Sequence, residues 1–78
     1  MKLEYQSEYM ALGLKIAYYR KLRGFTQEEL AEMVDRSPAF IGHVEAPNIN
    51  KAVSLDTLFD IAKVLEVPAY KFLLFDDI

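Results

Sequence analysis

Apolar residues recur along this chain at steps of three and four, the spacing of one face of an α-helix. The pattern falls into five stretches. The first predicts a helix over residues 7–23, with Ser7 as its N-cap and Leu12, Ile16, Tyr19 and Arg23 on one face. Gly24 follows, where a glycine closes helices. The second predicts a helix over 27–34. Thr26-Gln27-Glu28-Glu29 reads as a capping box, with Phe25 stapled onto Leu30 and a stripe of Leu30, Ala31 and Val34. The third covers 38–44, capped by Ser37, opened by Pro38 and turning Ile41 and Val44 inward. Residues 46–53, with Pro47, Asn48 and Asn50, read as a loop. Ser54 then caps a fourth helix, 54–65, with a stripe of Leu55, Leu58, Ile61, Ala62 and Leu65. Val67-Pro68 opens a short fifth helix, 68–74, containing Tyr70, Phe72 and Leu73.

Only Asp35, Arg36 and Ser37 separate the second helix from the third. Two short capped helices joined that tightly cross steeply, which is a helix-turn-helix unit. No repeat, low-complexity segment or linker divides the chain. The expectation is one all-α domain over residues 1–78, a compact five-helix bundle with the helix-turn-helix formed by helices 2 and 3.

Composition narrows the picture. Hydrophobic residues make up 53% of 78, enough for a core in a chain of this size. There is no cysteine, so disulfides and thiolate metal sites are excluded. No apolar run approaches the roughly 20 residues that span a bilayer. The start, MKLEYQSEYM, lacks an apolar signal core. A cytoplasmic protein without membrane attachment is expected. No nucleophile–base pair, phosphate loop or metal spacing is visible, so neither an enzyme nor a cofactor is expected. His43 is the single histidine, and Glu28, Glu29 and Glu32 read as a solvated helix face with one capping member.

The formal charge is −3, against indiscriminate nucleic-acid binding. Its distribution is uneven. Residues 1–36 carry six basic and six acidic side chains; residues 37–78 carry three and six. Basic residues cluster at Arg20, Lys21 and Arg23, where the first helix's dipole favours them. Lys21 and Arg23 read equally as solubilising charges and as phosphate contacts.

The run LGLKIAYYRKLRGFTQEELAEMVDRSPAFIGHVE resembles the lambda-repressor and Cro-like, or XRE, family of DNA-binding proteins, and SLDTLFDIAKVLEVPAYKFL is similar to that family's closing helices. The resemblance covers about residues 11–74. It implies that helix 3 enters the major groove of double-stranded DNA. Ser37, Pro38, Ala39 and His43 would face the bases. Gln27, Arg36, Asn48, Asn50 and Lys51 would face phosphates. Arg20 and Glu45 would form a buried structural ion pair. Four positions depart from the family pattern: Asp35 and Pro47 stand where glycine is usual, Arg36 replaces an apolar residue, and Gly42 replaces a frequent serine. Pro38 and Ala39 cannot make bidentate base contacts, although they can pack on a thymine methyl.

The expected function is a bacterial or phage transcriptional regulator, Cro-like and repressor-like, reading a palindromic operator as a homodimer. Tyr70, Leu74, Phe75 and Ile78 form an apolar surface expected to make the dimer interface. The alternative reading is a protein-interaction module on the same fold, an antitoxin-like subunit with a protein partner and little DNA affinity. The acidic C-terminal half and the apolar head of helix 3 favour that alternative.

Overall fold

A computed structural model of the chain describes residues 2–49 and 51–75. Four α-helices appear among them: α1 (Gln6–Leu22), α2 (Gln27–Met33), α3 (Pro38–Glu45) and α4 (Leu55–Leu65). Two short 3-10 segments, Leu3–Tyr5 and Ala69–Leu73, precede and follow them. No strand occurs among the described residues.

The expected fifth α-helix is therefore corrected to a 3-10 helix of five residues. Pro68 starts it, and the Lys71 N–H bonds to the Pro68 carbonyl at 3.0 Å, a three-residue step. So short a segment forms few four-residue steps, and the tighter turn is the usual solution. The start of α1 is corrected as well. The 3-10 segment feeds straight into Gln6, so Ser7 lies inside the helix and its hydroxyl donates to Glu8 Oε1 at 3.0 Å.

Local chemistry sets the other starts. Thr26 Oγ1 accepts from the Glu29 N–H at 3.0 Å, and Glu29 Oε1 accepts from the Thr26 N–H at 2.8 Å. Ser37 Oγ caps the Phe40 N–H at 3.1 Å and Ser54 Oγ that of Thr57 at 3.1 Å. Three helices end on a left-handed residue: α1 on Gly24 (φ 82), α2 on Asp35 (φ 56) and α4 on Glu66 (φ 58). Each end pairs a five-residue backbone bond with a three-residue one, as Arg36 N–H to Ala31 and Asp35 N–H to Glu32 show for α2. α3 ends differently. Pro47 forces Ala46 into the extended region (φ −76, ψ 121), so no left-handed residue is needed.

The core draws on every α-helix and on the last segment. Ile16, Leu30, Ile41, Leu58, Ile61, Leu65 and Phe72 are fully buried, each contributing roughly 1.5–3 kcal/mol. The Phe72 ring meets Tyr19 edge-on at 5.1 Å, which holds the closing 3-10 helix on α1. Leu55, expected in the α4 stripe, faces outward instead. Thr57 takes the buried place, with Arg36 Nη2 and Ser54 Oγ on its hydroxyl at 2.9 and 3.0 Å. Arg23 closes the end of α4: its Nε and Nη2 donate to the Leu65 and Glu66 carbonyls at 2.6 and 3.0 Å. A cation at a helix C-terminus is favoured by the dipole.

α1 and α3 cross closely at Gly13. A Cβ there would overlap the Val44 carbonyl oxygen, which is backbone and cannot swing aside. Gly13→Ala is expected to cost about 3 kcal/mol despite alanine's better helix propensity. Urea unfolding of the two proteins checks this; equal midpoints would mean that the crossing is loose.

Candidate functional site

α2 and α3 form two arms of a corner. Asp35 turns the chain, and Arg36 braces it by reaching from the turn to Thr57 on α4. The outward surface of α3 carries Ser37, Pro38, Ala39 and His43, all exposed. Ala39 and His43 are four residues apart, hence on one face. Pro38 has no N–H and that of Phe40 is taken by Ser37, which leaves the Ala39 amide at the tip. Glu28 and Glu29 stand in the first turn of α2, so that tip carries negative charge beside its own amides.

The rear of α3 is clamped. Glu45, its last residue, is buried, and Arg20 of α1 grips it with both arms of a fork: Nε to Oε2 at 2.8 Å and Nη2 to Oε1 at 2.9 Å. Arg20 Nη1 also donates to the Phe25 carbonyl at 2.6 Å. Gln27, the first residue of α2, adds a third donor, Nε2 to Glu45 Oε1 at 3.0 Å. One carboxylate thus ties α1, α2 and α3 together. No buried side-chain nitrogen or oxygen among the described residues lacks a partner.

Beyond α3 the chain returns over an exposed Asn48 to Lys51, whose Nζ sits 5.4 Å from the centre of the Phe40 ring. That cation–π contact places a positive charge beside α3. Asn50 lies outside the described residues. In and after the closing 3-10 helix Tyr70 and Leu74 are exposed, while Phe75 is half-buried and packs on the core. Ile78 lies outside the described residues. Tyr5, Tyr9, Leu55, Leu73 and Phe75 line an open apolar groove of about 280 Å³.

The fold of this chain is found in other proteins. A family model described as helix-turn-helix matches residues 16–72. The chain belongs to the helix-turn-helix family of the XRE type. Three solved structures share its fold. The restriction-modification controller protein C.AhdI of Aeromonas hydrophila superposes with a TM-score of 0.80 at 22% identity, covering 87% of this chain and 96% of its own. The clp gene regulator ClgR of Corynebacterium glutamicum gives 0.79 at 29% identity, over 85% and 68%. The hypothetical transcription factor NHTF of Neisseria gives 0.81 at 26%, over 92% and 79%. No curated protein matches the chain.

Within this helix-turn-helix the expected site residues divide into three groups. Ser37, Pro38, Ala39 and His43 share one exposed surface. Gln27 stands at the start of α2, but its side chain turns inward to Glu45. Arg36, Asn48 and Lys51 lie in the turns at either end of α3. Sequence reasoning missed the inward hold on Gln27 and the closing of α4 by Arg23. Partners separated by 18 and 42 residues leave no local pattern.

Removing one partner of the clamp leaves a buried charge unpaired. Glu45→Ala is expected to cost roughly 3–5 kcal/mol, and replacing Arg20 and Glu45 together by apolar residues should recover much of it. A double-mutant cycle by urea unfolding measures both. Gly42 gives the opposite expectation. A Cβ there would lie 3.5 Å from Gln27 Oε1, ordinary contact. Gly42→Ala should raise stability by about 1 kcal/mol through helix propensity, seen as a higher thermal midpoint.

Proposed function

We propose that this protein is a DNA-binding transcription regulator that inserts α3 into the major groove. The observation that carries the reading is the rigid presentation of α3: capped at Ser37, clamped at Glu45, and exposed over Ser37, Pro38, Ala39 and His43. The names of ClgR and NHTF, a gene regulator and a transcription factor, support it.

In this reading His43 and Ser37 offer hydrogen bonds to base edges, and Pro38 and Ala39 pack on thymine methyls. Lys51, Asn48, Arg36 and the leading amides of α2 around Gln27 meet phosphates and set the register. Asn50 is proposed for the same backbone contact. One domain over residues 1–78 would do the reading, and two copies would read a palindrome. The molecule measures 31 × 23 × 20 Å, so two copies side by side suit half-sites roughly 34 Å apart. Tyr70 and Leu74, with Phe75 and Ile78, are proposed for the contact between copies.

A second reading has its own support. The tip of α3 is apolar, and Glu28 and Glu29 flank the neighbouring helix end. A protein-interaction module, antitoxin-like, would use that surface with little DNA affinity.

Selection of bound duplexes from a random pool, followed by gel shift over a salt series, separates the two. Enrichment of a sequence is expected. His43→Ala should then change the preference at one base position. Lys51→Ala should weaken all sequences alike and lower the salt slope by about 1. A pool that emerges unselected, with no duplex retained at low salt, would favour the protein-binding reading.

A further inference from the structure

α1 is apolar on two sides. Its inner face enters the core, yet Met10, Leu14, Tyr18 and Leu22 are 41, 47, 59 and 65% exposed on the outer one. Scattered exposed apolar residues are ordinary. Four in an unbroken four-residue register form a ridge along the helix. Ser7, Met10, Leu14, Ala17 and Lys21 follow the alternating three-four step of a helix–helix seam. Nothing in the core needs this second stripe, because Leu12, Gly13, Ile16 and Arg20 already supply the buried face.

We propose that this outer face of α1 is a self-association surface, on which a second copy of the chain docks its own α1 antiparallel. Charge decides the occupant and its direction. Exposed Glu4 lies in the 3-10 segment that leads into α1, and exposed Lys21 lies near the far end of the helix. A parallel partner would set Glu4 against Glu4 and Lys21 against Lys21. An antiparallel copy sets each Glu4 against a Lys21, and the same register brings Leu3 to Leu22 and Ser7 to Tyr18, with Met10 and Leu14 on either side of the two-fold axis. Antiparallel helices also oppose their macrodipoles favourably. The pairing is two-fold symmetric, so every contact occurs twice. The seam is one helix wide and smaller than a standard interface of about 1,600 Å²; it forms a weak, reversible contact. Phe75 of the closing segment lines a groove with Ser7 and Ala11, so this face borders the tail surface at its near end.

Sedimentation equilibrium from micromolar to millimolar concentration tests this on the full chain, with circular dichroism to verify folding. Leu14→Glu is expected to weaken association about tenfold or more. Glu4→Lys and Lys21→Glu should each weaken it about fivefold, and the double swap should return it close to wild type. Running the series again with Leu74→Glu removes any contribution from the tail surface. Three results would overturn the proposal: no association of the unaltered chain at millimolar concentration, association indifferent to Leu14→Glu, or a double swap no better than the single ones. The last would leave the face self-associating but would rule out the antiparallel register.

Discussion

The close crossing of α1 over α3 is the constraint on which the rest of the molecule depends. Gly13 lets the backbone of α1 lie against the Val44 carbonyl. Seven residues further along the same face of α1, Arg20 reaches the carboxylate of Glu45. The two devices differ in kind. The glycine sets how near the helices come; the ion pair sets their register. A buried pair adds little net stability against apolar residues of equal volume. Its planar fork, however, accepts only one arrangement of the carboxylate. Gln27 bonds to that same carboxylate, so the start of α2 is positioned by the end of α3.

This arrangement has a consequence for the exposed head. α3 is only eight residues long and contains Gly42 at its centre, so it would be a poor helix in isolation. It is ordered from its ends: Ser37 and Pro38 at the front, Glu45 at the rear, and Pro47 stopping it beyond. Rigidity is therefore inherited from the scaffold, and the surface of α3 is free to vary without loss of the helix.

The parts legible in the sequence are those whose partners lie within a few residues. The Thr26–Glu29 box, the Ser37-Pro38 start, the Ser54 cap and the Gly24 stop all formed as expected, because each is a bond between near neighbours. Asp35 is left-handed at a position where the resemblance has glycine, while Glu66, in the same conformation, carries no signal in the sequence. The Arg20–Glu45 pair spans 25 residues and came from the resemblance too. Leu55 shows the limit of periodicity: at the first turn of α4 the apolar step fits, but the buried place goes to Thr57 because two polar groups converge on it. The last segment shows another limit, since five residues of helical pattern do not distinguish an α-turn from a 3-10 turn.

Arginine usage bears most directly on how the head can recognise anything. The chain has three arginines, Arg20, Arg23 and Arg36, and each is bonded back into the protein. The apparent basic cluster at the end of α1 is thus largely structural, with Lys21 the exposed member that makes no such strut. Guanidinium forks are the side chains best suited to guanine edges and to phosphates, and here they hold a carboxylate, two helix-end carbonyls and a threonine hydroxyl. With the arginines engaged in this way, the counterion-release contribution to the proposed DNA binding would rest mainly on lysines. In the DNA-binding reading proposed above, affinity would then come from close fit: the imidazole of His43, the hydroxyl of Ser37, and the shape of an apolar tip that a stiff α3 could press against a groove without yielding.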